Sequence, residues 1–163
     1  MDQWMLKAFN DLTPSELYAL LRLRSEVFVV EQNCVFLDMD GADDGCYHLM
    51  GWTGGMDVPD GIGGFIPAGP AILGAYARIV PPGLKFAEPS IGRVVTAPSV
   101  RGKGMGRTLI DQSLTHLYAL YGQQPVRIGA QQYLVDFYGS FGFVQTGGVY
   151  MEDDIAHVEM VKR

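Results

Sequence analysis

Cysteine is scarce: Cys34 and Cys46 are the only two in 163 residues. They do not form a CxxC pair, which excludes a thiolate metal framework, and they read as reduced thiols. No apolar run approaches the roughly 20 residues that a bilayer-spanning helix needs. The opening MDQWMLKAF lacks the charged-then-apolar run of a secretory leader, so a cytoplasmic protein is expected. Surplus positive charge is also missing. Twelve Lys and Arg stand against 18 Asp and Glu, a net charge of −6. That balance argues against a general binder of nucleic acid or anionic membranes. The acidic stretch Asp38–Asp44 offers no register of D-x-[DN]-x-[DN]-G with a Glu at position twelve, so it is not a calcium loop and no metal is expected. There are no repeats, no low-complexity tract and no linker. One domain over residues 1–163 is therefore expected, with 48% apolar residues available for its core.

Periodicity supplies the elements. Gln3–Phe9 suits a first strand. Thr13-Pro14-Ser15-Glu16 reads as a capping box with Pro at the first helical position, opening a helix that runs to about Glu31. Cys46–Thr53 reads as a strand. The Gly- and Pro-rich run 54–70 is too breakable for an element and is expected to be a long loop inserted in the domain. Ala71–Val80 and Ser90–Ala97 alternate like strands. Met105, Leu109, Leu114, Leu117 and Leu120 lay one apolar stripe on a helix from about Gly104 to Tyr121, stopped by Gly122. Pro125–Ala130 is a short strand, and Tyr133–Phe141 a short helix closed by Gly142. Phe143–Glu152 and Ile155–Arg163 flank Asp153-Asp154 as a hairpin. The order β-α-(α)-β-β-β-α-β-α-β-β predicts an α/β or α+β sheet with helices on both faces.

Charge is uneven along the chain. Arg93, Arg101, Lys103 and Arg107 are four of the twelve basic residues, gathered within fifteen positions. Gly102, Gly104 and Gly106 fall between them, immediately before the long helix. Glycine opposes helix formation by about 1 kcal/mol relative to alanine. Glycines here either ease a tight helix entry or let the backbone approach a ligand. A strand, a glycine turn and a helix start form an anion site, because first-turn N–H groups lack helical partners and the dipole favours negative charge. A phosphate or diphosphate fits. The spacing is neither a P-loop nor a dinucleotide fingerprint.

These residues resemble a known family. RGKGMG (Arg101–Gly106) matches the [Q/R]-x-x-G-x-[G/A] signature of the GNAT N-acyltransferases, after IGRVVTAP and before an amphipathic helix. FYGSFGF (Phe137–Phe143) is similar to that superfamily's second marker. RSEVFVVEQNCVFLDMDGAD (Arg24–Asp43) and YMEDDIAHVEM (Tyr150–Met160) resemble the ElaA-type branch. The resemblance implies a twisted mixed sheet of about seven strands whose fourth and fifth strands splay apart. It implies acetyl-CoA (coenzyme A) as cofactor, with pantetheine along Val94, Val95 and Thr96. The pyrophosphate would be wrapped by Arg101, Gly102, Lys103, Gly104, Met105, Gly106 and Arg107. Gln131 stands where many relatives carry an Asn at the cofactor, and Tyr138 beside the thioester sulfur. A Gly104→Val change is expected to crowd the pyrophosphate and leave the fold intact.

The implied reaction is direct acetyl transfer to a primary amine, on a small molecule or a peptide; the alternative is a CoA-binding or regulatory module without turnover. By composition alone Tyr138 reads as a core aromatic; the family position implies protonation of the leaving thiolate, which suits a phenol that stays protonated at neutral pH. Val126 stands where some relatives have a Glu base. The base is then a water chain or one of Glu31, Glu88 and His157. Asp38 and Asp40, with Asp43 and Asp44, either attract a cationic amine or form a solvated acidic turn. Edge strands at the terminal hairpin suit a homodimer.

Overall fold

The computed structural model describes residues 3–55, 58–59, 65–66 and 69–163. Seven strands form two antiparallel sheets. β1 (Gln3–Ala8), β2 (Tyr47–Thr53), β3 (Ile72–Val80) and β4 (Ser90–Thr96) follow one another across the first sheet. The second has the order β5 (Val126–Gln131), β7 (Ile155–Lys162), β6 (Val144–Glu152). β4 and β5 lie side by side and join the two. The mixed α/β GNAT architecture read from the sequence is present.

The predicted 54–70 loop needs correction. Val58–Pro59 pairs with Phe65–Ile66 as a two-residue antiparallel ladder inside it. The rest of that expectation, at 56–57, 60–64 and 67–68, lies outside the described residues.

Local chemistry explains the helix starts. The Glu16 N–H donates to Thr13 Oγ1 at 3.2 Å and the Thr13 N–H to Glu16 Oε2 at 2.8 Å, so both orphan donors are satisfied where α1 (Pro14–Arg24) begins. The helical path to Glu31 is not all α: Ser25–Glu31 winds as a π-helix. α2 (Met105–Tyr121) buries Leu109, Ile110, Leu114 and Leu117 and stops at Gly122, whose φ is +78°. A short 3₁₀ turn, Gln132–Leu134, leads into α3 (Val135–Gly139).

β3 is buried at every position from Leu73 to Val80, which requires cover on both faces. α1 and α2 both pack against β3 and β4. The Arg24 guanidinium of α1 sits 5.9 Å from the Tyr76 ring centroid. By strand alternation, Ala75, Ala77 and Ile79 face the other way. The core runs continuously from Leu20 and Leu23 through β3 and α2 to Ala130, Tyr138, Phe143 and Val158. At roughly 25 cal/mol per Å² of apolar surface, each fully buried Leu or Ile contributes about 2–3 kcal/mol. Among the described residues, no helix is long and apolar enough to cross a membrane.

Candidate functional site

Among the described residues one backbone bond ties the two sheets together: the Arg127 N–H of β5 donates to the Pro89 carbonyl, 3.2 Å away, at the start of β4. Beyond it the strands separate, and no ladder joins them among the described residues. This is the splay expected of the fourth and fifth strands. A cleft occupies the opening, lined by Gly92, Arg93 and Val94 of β4, Gly129, Ala130 and Gln131 of β5, Tyr138, and His157. Phe28 and Gln32, on and just after the π-helical turn, line it too.

β4 is deformed where it borders the cleft. Tyr76 pairs with Val95 but Arg78 with Gly92, so Arg93 and Val94 share the place opposite Ala77. Arg93 has φ +48°, the left-handed region that L side chains avoid. Such a bulge bends its strand and re-aims what it carries. Its side chain is anchored: Nε donates to Asp38 Oδ1 at 2.8 Å and Nη2 to the Asp38 carbonyl at 3.0 Å.

That anchor belongs to a closed ring of charge. Arg24 pairs with Asp38 and Asp43, Arg78 with Asp43 and Asp40, and Arg93 with Asp40 and Asp38, so every member touches two of opposite sign. Three positive and three negative charges cancel. Hydrogen bonds from Arg78 hold the Asp40 carboxyl well below the usual range despite burial. Burial raises Asp43, but bonds from Arg24 and Arg78 outweigh it and lower the group overall. Of Asp38 and Asp40, expected either to attract an amine or to lie in a solvated turn, Asp38 is buried and Asp40 stays exposed at the rim. Their carboxylates are each committed to two arginines. Arg93 likewise leaves the basic cluster around the glycine turn.

The turn has the backbone an anion needs. Gly102 and Gly104 have φ +77° and +80°. No backbone carbonyl among the described residues accepts from the N–H groups of Gly102, Lys103, Gly104, Met105 or Gly106. A Cβ built at Gly102 or Gly104 meets nothing within 4 Å, so their surroundings are open. The φ of Gly104 corrects one expectation: valine there strains the backbone as well as crowding a ligand. Arg101 turns away to Glu31, at 2.7 Å, and to the Thr96 carbonyl. Arg107 donates to Ser140 Oγ and stacks over Phe141.

Tyr138 is buried, with Phe137 and Phe143 meeting its ring edge-on at 5.2 and 6.0 Å. It is a core aromatic that also borders the cleft. Burial pushes its phenol above the ordinary range, so it stays protonated. Its hydroxyl has no hydrogen bond among the described residues. Gln131 reaches Gln32 at 3.5 Å. Val94 borders the cleft, Val95 is buried, and both belong with Thr96 to β4. Of the three candidate bases, Glu31 holds Arg101 outside the cleft. Glu88 accepts from Arg127 at 3.0 and 3.1 Å, and that bond lowers its carboxyl. His157 alone of the three lies in the cleft. Sequence reasoning missed the Arg93 bulge and Lys85, which also lines the cleft; Gly92 within the strand was the available hint.

Known proteins share this fold. Residues 77–163 match the acetyltransferase (GNAT) domain family. The protein ElaA of Escherichia coli strain K12 is 37% identical over 164 residues, covering 99% of this chain and 97% of that protein. Its crystal structure superposes with a TM-score of 0.82 over 100% of both chains. An acyl-CoA N-acyltransferase from Pseudomonas aeruginosa is 39% identical, also over 100% of both, with a TM-score of 0.84. A Bacillus subtilis acetyltransferase solved in complex with CoA shares the fold at 16% identity and a TM-score of 0.61, covering 99% of this chain and 98% of that one. The chain belongs to the GNAT acetyltransferase family.

Proposed function

We propose that the protein is an acetyl-CoA-dependent N-acetyltransferase that passes acetyl directly to a primary amine. The observation that carries this reading is the opening between β4 and β5, with unpartnered turn amides at the head of α2 and a protonated tyrosine in the cleft. The residues fit coenzyme A. The amides of Gly102–Gly106 would hold its pyrophosphate, with Lys103 and Arg107 supplying charge and Arg101 joining them on release from Glu31. The free edge of β4 at Val94, Val95 and Thr96 would pair with the pantetheine, and Gln131 would border it. Tyr138 would donate its proton to the departing sulfur. Holding both reactants in one cleft supplies rate through proximity. β6 is the outer strand of its sheet and exposes Val144, Val149 and Met151, which supports pairing between two copies. Two free thiols suit a reducing cytoplasm.

The test is amine-dependent release of free thiol from acetyl-CoA, with polyamines, lysine peptides and aminoglycosides as acceptors. Tyr138→Phe should lower kcat roughly 10²-fold. The hydroxyl makes no bond to lose, so stability and CoA affinity should be close to unchanged. Tight CoA binding with no release from any amine would establish a binding module instead.

A further inference from the structure

We infer that His157 is the proton acceptor for the amine. This rests on the acetyltransferase reading above. Along β5, Val126, Ile128 and Ala130 are buried, whereas Arg127, Gly129 and Gln131 are half-buried. Successive strand residues point to opposite faces. On β7, Val158 stands opposite Ala130 and is buried, while His157 stands opposite Gln131 and is half-buried. His157 therefore shares the Gln131 face. Tyr138 belongs to the core with Ala130 and Val158, on the other face. Both side chains nonetheless line one cleft. A thioester held between β4 and β5 would have the proton donor on one side and the proton acceptor on the other.

A neighbour sets the tautomer of the imidazole. Nδ1 lies 2.8 Å from the Ile155 carbonyl oxygen. A carbonyl can only accept, so in the neutral ring Nδ1 carries the hydrogen and Nε2 keeps its lone pair. Nε2 makes no hydrogen bond among the described residues. Tyr150, opposite on β6, stacks on the ring with centroids 5.8 Å apart and planes at 28°. Gly129 makes room for this: a Cβ there would come within 2.8 Å of the Tyr150 hydroxyl.

The steps balance. The ammonium form of the acceptor gives one proton to Nε2. The freed nitrogen lone pair forms a C–N bond to the thioester carbon, and the carbonyl pair moves onto oxygen. That pair returns, the C–S bond breaks, sulfur leaves with its electrons, and Tyr138 supplies the proton. The remaining surplus proton on nitrogen passes through water to the tyrosinate, and the imidazolium releases its own to solvent. The products are an amide, a free thiol and one proton.

Tyr150 faces the ring from β6, and Glu152 and Asp153 of the hairpin share its cleft. Arg78 of β3, Arg93 of β4, Lys85 between them, and Cys34, Tyr133 and Tyr138 complete the titratable and charged lining. Activity needs the neutral ring and therefore falls on acidification. The experiment measures amine-dependent thiol release from about pH 5 to 9 in the native protein, His157→Gln and His157→Ala. The glutamine variant should lose roughly 10²-fold or more in kcat. It should also lose the acid limb of the profile while binding CoA normally by calorimetry, and added imidazole should partly restore the alanine variant. Native rate and profile in His157→Gln would overturn the assignment while leaving the acetyltransferase reading intact. A slower variant with an unchanged profile and no imidazole rescue would also overturn it, in favour of a structural role. No release by the native protein with any amine would overturn both.

Discussion

At the scale of single residues, the cancelled charges beside the cleft and one buried imidazole govern the response to acid. His48 is buried between Tyr76, whose hydroxyl lies 2.8 Å from Nδ1, and the Asp43 carbonyl, 2.9 Å from Nε2. Burial lowers its pKa, so the unfolded chain takes a proton more readily. Its contribution is complete above about pH 6.5, the ordinary value for histidine, and shrinks as pH falls below that. Asp40 and Asp43 are also lowered, by their arginines. Their stabilisation is complete above the ordinary aspartate value of about 4 and is lost as pH falls toward the depressed folded values. Urea midpoints should be level between about pH 7 and 8, decline gently below 6.5 and steeply below 4. A midpoint that rises on acidification would contradict the ring. None of this was legible in the sequence. Asp38–Asp44 read as an acidic turn because its partners, Arg24, Arg78 and Arg93, are spread over three other elements and only folding brings them together.

Elements were easier to read wherever the signal is local. The capping box at Thr13 and Glu16, the stop at Gly122 and the Asp153-Asp154 hairpin turn, whose φ values are +49° and +61°, rest on a few adjacent residues. The π-helical stretch and the β4 bulge were not foreseen, because each depends on what packs against it. The bulge can be tested by comparing two variants. Arg93→Gly and Arg93→Ala lose the same ion pairs, but glycine adopts φ +48° freely and alanine does not. The glycine variant should therefore be more stable than the alanine variant by about 1 kcal/mol in urea unfolding. The reverse order would rule out a left-handed Arg93.

For the whole molecule, the fold and the glycine turn were readable because the RGKGMG stretch sits between a strand and an amphipathic helix in one continuous run. The rest of the cleft lining, assigned above to the acceptor, was not. It is assembled from the ends of β5 and β7 and the loop after β3, where no short stretch of sequence announces a pocket. The tie at Glu88, Pro89 and Arg127 bears on traffic through the protein. On the proposed reading, a cleft between two sheets fastened at one end would hold the thioester and the amine together, so that neither leaves before the other arrives. Initial rates measured while both concentrations vary should give double-reciprocal lines that intersect. Parallel lines would mean that the acetyl group first parks on the protein itself.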